Sequence, residues 1–331
     1  MPMFLGHPMA YHEESGHWEI GPCPTGKPYR SEFPATTIHD DAWYIHERVL
    51  DHLGVQSVAV AIGGSMGGMA ILEWPLCTPE GYIRHVIPIA TSARHSAWCI
   101  SLGEAQRQSV YYSDPGYEDG AFLTYRSRDS FESRFGRKTQ VQVMANSAIT
   151  PPASPPPPPQ TNADQAVPSP KPPLFSAQSY LRYQGQKSTA RFDASCYIHI
   201  TRKMDTHDVA RGRVTFGNGD DDEQASLALA RVLSTLPRRA LVIGVATDGL
   251  FTPSEQRELA QHIPDAELVI IEPPDGHDGF LLEFEQINQH VLRFLKREFP
   301  ELDVGGDNAD DSAFEVKKTS IFGEAEADIV N

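Results

Sequence analysis

The segment with the clearest chemical signature is Gly63-Gly-Ser-Met-Gly-Gly68, in which a serine stands between glycines in a G-x-S-x-G pattern. An apolar run of strand length, 58–62, precedes it, and a helical pattern over 69–76 follows. In that context the serine occupies a tight strand-to-helix turn that lifts its hydroxyl above the sheet. Ser65 is therefore the predicted nucleophile, and the N–H of Met66 is a predicted oxyanion donor at the positive end of the helix. A structural or phosphate-binding turn is the alternative, although no Gly-Lys-Ser/Thr follows as a P-loop requires.

A serine hydroxyl is a weak nucleophile and needs a base that a carboxylate holds in place. Asp248 directly follows an apolar run of strand length, and His277 lies in a glycine-containing turn after the next such run. The chain order nucleophile, acid, base is one that strand–turn–helix sites of this kind use. Asp275 is the alternative acid and otherwise a helix cap. Asp278, next to the base, is either a solvated surface acid or a carboxylate at the mouth of the site that binds a substrate ammonium.

Apolar runs and helical periodicity alternate around these residues. The runs predict strands over 58–62, 86–90, 240–246 and 268–271. The periodic stretches predict helices over 69–76, 223–236, 254–262 and 284–299. Strands separated by helices predict an α/β fold, with a mostly parallel sheet and helices on both faces. Asp40 or Asp41 is the predicted cap of one more helix, whose apolar face is formed by Ala42, Ile45, Val49 and Leu53.

Composition divides the chain into five parts. Residues 92–222 interrupt the alternation and predict a helical lid, and they include a proline-rich insert at 150–173. Eleven of the 27 prolines fall between 151 and 173, which favours a solvated linker and leaves a ligand for an SH3-type module as the alternative. The acidic end of the chain predicts a disordered tail, with a docked segment as the alternative. The predicted parts are an N-terminal segment at 1–20, core at 21–91, the lid at 92–222, core at 223–299 and the tail at 300–331.

The charge balance and the cysteines exclude several classes of protein. The 331 residues hold 28 Lys and Arg against 44 Asp and Glu, a net charge of −16. That excess argues against a nucleic-acid partner and against an anionic membrane surface. No apolar run approaches the ~20 residues of a membrane helix, and the N-terminal residues do not have the pattern of a signal sequence. Four scattered cysteines without a C-x-x-C pair predict neither a disulfide scaffold nor a zinc knuckle, and no metal site is expected. They indicate a reduced cytosolic or organellar interior, of which the cytoplasm is the predicted location.

Several segments resemble the homoserine O-acetyltransferase family of the α/β-hydrolase superfamily. The segment 63–69 with Glu73-Trp74 is similar to the nucleophile motif of that family. The segments 246–253 and 275–281 resemble its acid and histidine motifs. Further likeness covers the segments 21–29, 33–38, 124–127, 179–185, 191–193 and 204–205. The resemblance runs from about residue 21 to about residue 298 and leaves out the proline-rich insert.

This resemblance implies an α/β-hydrolase fold and ping-pong acyl transfer in methionine biosynthesis. Ser65 is expected to attack the thioester of acetyl-CoA, a co-substrate rather than a bound cofactor, with His277 as the base and Asp248 orienting it. The hydroxyl of L-homoserine then takes the acetyl group. By the same resemblance, Tyr125 and Asp278 contact the amino acid. The expected partners are these small molecules and a second copy of the chain, in a homodimer formed through the lid.

Two departures from the family leave other functions open. Only 64 residues precede Ser65, so N-terminal strands and the loop with the second oxyanion donor have no counterpart. The stretch before Thr124 lacks the arginine that binds the substrate carboxylate in the family, for which Arg126 or Arg128 are the candidate replacements. The alternatives are therefore transfer to L-serine or to the alcohol of a secondary metabolite, a serine esterase, or an inactive shortened homologue that functions at most by pairing with a full-length one.

Overall fold

The computed structural model describes eight stretches of the chain, which are 9–12, 17–20, 36–43, 48–112, 125–140, 174–189, 194–214 and 222–301. The proline-rich insert at 150–173 and the predicted tail beyond residue 301 lie outside them. Within these stretches the strands are β1 (Met9–His12), β2 (His17–Ile20), β3 (Val58–Gly64), β4 (Ile83–Ile89), β5 (Thr139–Gln140), β6 (Leu174–Phe175), β7 (Leu241–Val245) and β8 (Glu267–Ile271). The helices are α1 (Ile38–Asp40), α2 (Arg48–His52), α3 (Met66–Cys77), α4 (Ala97–Tyr112), α5 (Arg128–Arg134), α6 (Ser176–Thr189), α7 (Ala194–Asp205), α8 (Asp222–Leu233), α9 (Pro253–His262), α10 (Gly279–Leu282) and α11 (Phe284–Glu298).

Parallel strands form the central sheet in the order β3-β4-β7-β8. The strands are apolar runs because helices cover both faces of the sheet. On one face, α3, α8 and α9 contribute Leu72, Leu229, Leu233 and Leu259 to the core. On the other face, α11 contributes Ile287 and Phe294. Each such side chain stabilises the fold by about 1.5–3 kcal/mol, so the sheet is a firm support for the loops at its carboxyl edge. The predicted fold class is confirmed.

Strand β3 lies at an edge of this sheet. Among the described residues, no strand pairs with the side of β3 that faces away from β4, and Ile62 in β3 is 48% exposed. Strands β1 and β2 form a separate antiparallel hairpin. The expected lack of N-terminal strands stays a prediction, because residues 21–35 lie outside the described stretches.

The helix cap predicted at Asp40 or Asp41 is wrong. Thr37 caps α1, since its hydroxyl accepts the N–H of Asp40 at 3.1 Å and the Asp40 carboxylate accepts the N–H of Thr37 at 2.8 Å. The physical reason is the capping box, in which a threonine and an acid three residues later satisfy each other's backbone donors. The predicted apolar face is also wrong in part, because Val49 is 37% and Leu53 is 67% exposed.

Helices α4 to α7 and the short β5–β6 pair lie between β4 and α8 in the chain, within the segment that the sequence predicts to be a lid. Arg107 of α4 forms an ion pair with Asp205 of α7 at 2.6 Å. Lys203 of α7 forms a buried one with Asp41 at 2.6 Å, which ties the lid to the segment that follows α1. None of the helices in the described stretches has the length and apolar character that crossing a membrane requires.

Candidate active site

Ser65 occupies the turn between β3 and α3 with φ 54° and ψ −126°. This conformation is disfavoured for any residue with a Cβ atom and costs on the order of 1–3 kcal/mol. The surrounding bonds hold it in place. The N–H of Ser65 donates to the carbonyl of Ile89 at 2.9 Å, and the carbonyl of Ser65 accepts the hydroxyl of Thr91 at 2.7 Å. The turn is thereby fixed to the carboxyl end of β4.

Close packing requires glycine at some of the positions around Ser65. A Cβ atom at Gly63 would lie 2.3 Å from the carbonyl oxygen of Gly67, and one at Gly68 would lie 2.5 Å from the side chain of Thr91. A Cβ atom at Gly67 would meet nothing within 4 Å. The tight turn and its contact with the end of β4 therefore depend on Gly63 and Gly68, whereas Gly67 has room for a side chain.

The three predicted catalytic side chains meet at the carboxyl edge of the sheet. Nε2 of His277 lies 3.0 Å from Oγ of Ser65, and Nδ1 of His277 lies 2.7 Å from Oδ2 of Asp248. With the Nδ1 proton donated to Asp248, Nε2 is left as the acceptor for the proton of the serine hydroxyl. The serine and the histidine are 212 residues apart in the chain, and the parallel strands bring them together.

Asp248 is held in the position of the acid by its own backbone turn after β7. Its Oδ1 accepts the N–H of Leu250 at 2.8 Å and the N–H of Phe251 at 3.0 Å, which leaves Oδ2 for the histidine. The Asp248 side chain is fully buried. Because both oxygens are engaged, the carboxylate has one orientation, and that orientation fixes the imidazole ring.

Asp275, the alternative acid, lies away from the imidazole nitrogens. Its Oδ1 accepts from Arg126 at 3.0 Å and from the hydroxyl of Ser130 at 3.3 Å. Asp275 therefore joins the loop that carries His277 to the lid.

His277 follows β8 in a short 3₁₀ turn and is buried. Its ring lies between aromatic rings, with centroid distances of 5.3 Å to Phe251 and 5.1 Å to Phe280. Burial alone would lower the pKa of His277, but the charge and hydrogen bond of Asp248 and the charge of Asp278 outweigh it and raise the pKa above its ordinary value. A raised pKa makes the imidazole a stronger base for the proton of a serine hydroxyl.

Two threonines that position the site were given no role by the sequence. The hydroxyl of Thr247 donates to the carbonyl of Pro273 at 2.7 Å and accepts the N–H of Gly276 at 3.0 Å, so it links the loop of the acid to the loop of the base. Thr91 supports the serine turn, and Gln256 donates to its carbonyl at 2.8 Å. Each threonine directly follows a predicted strand, which is the only sequence signal that marks them.

Tyr125 and Asp278 both lie near the base. The ring centroid of Tyr125 is 6.2 Å from that of His277. Asp278 is buried and forms an ion pair with Arg126, whose Nε lies 2.9 Å from Oδ2. Arg126 also binds Asp275, so one guanidinium spans both carboxylates of the histidine loop. Arg128, the other candidate for a substrate carboxylate, is 84% exposed and lies near Asp129.

Met66 begins α3 directly after the nucleophile. The N–H groups of Gly68 and Met69 donate to the carbonyl of Ser65, at 2.9 and 3.2 Å. The first N–H groups of a helix have no partner within the helix and carry its positive end. Met66 lies at the start of α3, where a free N–H for an oxyanion is expected. Its role as the oxyanion donor stays a prediction.

One group in the described stretches has donor atoms close enough for a metal ion, namely His39, Glu73 and Cys77. A guanidinium nitrogen of Arg213 lies 2.6 Å from Oε2 of Glu73 and 3.0 Å from Nδ1 of His39. Its positive charge already balances the buried carboxylate, so this group serves as an ion cluster that joins α1, α3 and Arg213.

The chain is similar in sequence to known proteins over most of its length. A family model for the alpha/beta hydrolase fold matches residues 17–284. A homoserine O-acetyltransferase of Cryptococcus neoformans var. grubii is 43% identical over 419 aligned positions, which cover 92% of this chain and 78% of that one. The corresponding protein of Emericella nidulans is 42% identical, with 91% and 73% covered. That of Saccharomyces cerevisiae is 41% identical, with 91% and 74% covered.

Solved structures share the fold. The homoserine O-acetyltransferase of Bacillus anthracis superimposes with a TM-score of 0.63 at 17% identity, over 84% of this chain and 72% of that one. The homoserine O-acetyltransferase of Staphylococcus aureus superimposes with a TM-score of 0.58 at 24% identity, over 85% of this chain and 72% of that one.

The relative from C. neoformans contains residues that this chain lacks. The 419 positions aligned with it exceed the 331 residues of this chain by 88 (419 less 331), so that relative has at least 88 residues without a counterpart here.

Proposed function

The chain belongs to the homoserine O-acetyltransferase family of α/β hydrolases, and we propose that it transfers an acetyl group from acetyl-CoA to the hydroxyl of L-homoserine. The relatives that carry this name support the acceptor and the acyl group. The observation that carries the proposal is the unbroken relay from Oγ of Ser65 through His277 to Asp248, with distances of 3.0 and 2.7 Å. A relay of this kind supports an acyl-enzyme mechanism.

In the first half-reaction His277 removes the proton of Ser65, and Oγ attacks the thioester carbonyl of acetyl-CoA. The negative charge that forms on the carbonyl oxygen is placed against the N–H of Met66 at the start of α3. The carbon–sulfur bond then breaks, and the protonated His277 gives its proton to the departing CoA thiolate. The products are acetyl-Ser65 and CoA. Asp248 stabilises the imidazolium in between.

In the second half-reaction the hydroxyl of L-homoserine takes the place of CoA. His277 removes its proton, the oxygen attacks the acetyl carbonyl, and the proton passes to Oγ of Ser65 as the ester bond breaks. Tyr125 lies beside the imidazole, and Asp278, next to His277 in the chain, supplies a carboxylate for the ammonium group of the amino acid. Because Arg126 is paired with Asp278 at 2.9 Å, the ammonium must share that carboxylate with the arginine or displace it.

The test is CoA release by the purified chain. Acetyl-CoA with L-homoserine is expected to release free thiol, and mass spectrometry is expected to find O-acetylhomoserine. Ser65→Ala is the matched control, because it removes the nucleophile and leaves the glycine turn in place. Thiol release at the same rate by wild type and Ser65→Ala would refute the proposal.

The alternatives are distinguished with a panel of acceptors and a simple ester. L-Homoserine is expected to accelerate thiol release more than L-serine or an alcohol without an amino acid moiety. A higher rate with L-serine would change the acceptor and keep the mechanism. Turnover of nitrophenyl acetate without any transfer from acetyl-CoA would identify an esterase instead.

A further inference from the structure

Two segments of the lid concentrate positive charge in an acidic protein. Residues 125–140 hold five Lys or Arg and two Asp or Glu, and residues 174–189 hold two Lys or Arg and no acid. Together they carry +5 (seven less two), whereas the whole chain carries −16. Arg137, Lys138 and Arg182 are exposed, and Arg134 is half-buried. These four residues are called the basic lid surface below.

The two segments form one unit. Strand β5 pairs with β6 through Thr139 and Phe175. The ring of Tyr180 lies 4.9 Å from that of Phe135 and 6.0 Å from that of Phe131. The charges of the two segments therefore lie on one packed aromatic support, and they raise the local potential together.

Two of the arginines are held in place by aromatic rings. The guanidinium carbon of Arg134 lies 4.8 Å from the ring centre of Tyr180 and 5.1 Å from that of Phe135. That of Arg137 lies 5.5 Å from the ring centre of Phe175. A guanidinium that stacks on a ring keeps the N–H groups at its edge for an anion and loses little entropy on binding one. No acid of the described stretches forms an ion pair with Arg134 or Arg137.

The basic lid surface adjoins the catalytic histidine loop. Helix α5, which ends at Arg134, begins directly after Ser127, whose hydroxyl donates to the carbonyl of Pro274. Arg126 binds both acids of that loop. The seven residues of α5 span about 10 Å at 1.5 Å per residue. The basic lid surface is therefore about one short helix away from the contact with the loop.

We propose that the basic lid surface binds the phosphate groups of the CoA donor, and that Arg134 and Arg137 are its main ligands. This inference rests on the proposed function, since acetyl-CoA is the donor assigned there. The thioester must reach Ser65 while the diphosphate and the 3′-phosphate of CoA stay outside the buried site. An acidic protein repels such an anion over most of its surface, so a local excess of arginine and lysine beside the site gives the donor its orientation.

The direct test is CoA binding to the Ser65→Ala protein, measured by isothermal titration calorimetry. Arg134→Gln and Arg137→Gln are each expected to weaken binding about tenfold, which is the effect of losing one hydrogen bond between charged groups. Increasing the salt concentration is expected to weaken CoA binding to the parent protein more than to the double variant. Arg293→Gln, which changes an exposed arginine of α11, is the matched control and is expected to bind CoA as the parent does.

The second test compares two acetyl donors. S-Acetylpantetheine carries the same thioester without phosphates, so the arginine variants are expected to lose kcat/KM for acetyl-CoA and to keep it for S-acetylpantetheine. Turnover of nitrophenyl acetate reports that each variant still folds. Unchanged CoA affinity in both arginine variants, or an equal loss with both donors, would overturn the proposal. CoA binding that depends on Arg134 and Arg137, in a protein that transfers nothing to homoserine, would support this site and refute the proposed function.

Discussion

The change Asp248→Asn tests the relay at its most constrained point. Oδ1 of Asp248 accepts two backbone N–H groups, from Leu250 at 2.8 Å and Phe251 at 3.0 Å. An asparagine must keep its carbonyl oxygen on those donors, which turns its amide N–H₂ toward Nδ1 of His277. Nδ1 then has to accept, so the single proton of the neutral ring moves to Nε2. In that tautomer Nε2 cannot take the proton of Ser65.

The expected loss follows from the charge as well as the tautomer. The charges of the carboxylate and of the imidazolium are spread over each group, so their centres are about 4 Å apart and attract by about 4 kcal/mol at an effective dielectric constant of about 20. Losing that stabilisation in the transition state slows the reaction by about 10³-fold, and the wrong tautomer adds to the loss. We therefore expect Asp248→Asn to lower kcat/KM by about 10³- to 10⁴-fold. Asp275→Asn, which changes the acid bound to Arg126 instead, is expected to keep most of the activity.

The assay is the pH dependence of kcat/KM for nitrophenyl acetate and for thiol release from acetyl-CoA. A protonated imidazole cannot accept a proton, so activity falls as the pH drops through the pKa of His277. In the wild type that pKa is raised, chiefly by Asp248 against the effect of burial. Without the carboxylate the pKa falls, so the acidic limb should move to lower pH while the plateau is far lower. A variant that kept more than about a tenth of the rate, with its acidic limb unmoved, would refute the reasoning.

Three further changes test the surroundings of the relay. Gly63→Ala is expected to lower the free energy of unfolding, measured by urea denaturation, by about 3 kcal/mol, because its Cβ would lie 2.3 Å from the carbonyl oxygen of Gly67. Gly67→Ala is the control and should change that free energy little. Equal losses in the two variants would contradict this reasoning. Arg126→Met removes the guanidinium that forms an ion pair with the buried Asp278 and is expected to lower the free energy of unfolding by about 3–5 kcal/mol. Asp278→Asn in the same chain should restore part of that loss, and strictly additive losses would argue against coupling. Thr247→Val removes the hydroxyl that links the loops of the acid and the base. It is expected to lower the free energy of unfolding by about 1–3 kcal/mol. In steady-state kinetics it is expected to lower kcat more than it raises KM.

The arrangement of Ser65, Asp248 and His277 could be predicted because the geometry of a parallel sheet makes it independent of distance along the chain. The carboxyl ends of neighbouring parallel strands lie at one edge, so residues that directly follow such strands meet whatever separates them in sequence. The order of residue types along the chain, serine, aspartate and then histidine, was enough to assign the nucleophile, the acid and the base. Asp275 had a similar sequence context to the acid, and the structure separates the two roles because Asp248 binds Nδ1 of His277 whereas Asp275 binds Arg126.

The partners of Arg126 could not be predicted in the same way. Arg126 and Asp275 are 149 residues apart and are joined by a lid whose packing has no local signature. Charge pairing across such a distance is set by how helices dock, which neither periodicity nor turn chemistry records. The cap at Thr37 is a different case. Thr37 and Asp40 have the spacing of a capping box, so the sequence did hold this signal, and the more familiar preference for an aspartate cap obscured it.

The backbone of Ser65 has a consequence for how the chain can change. With φ at 54°, the position would suit a glycine better than a serine. Ser65→Gly should therefore fold more stably than its parent, by about 1 kcal/mol, while losing the hydroxyl. In a lineage that does not need acyl transfer, Ser65→Gly would therefore be favoured, because it stabilises the fold. Serine is more strained than glycine at this position, so only its role as the nucleophile favours its retention.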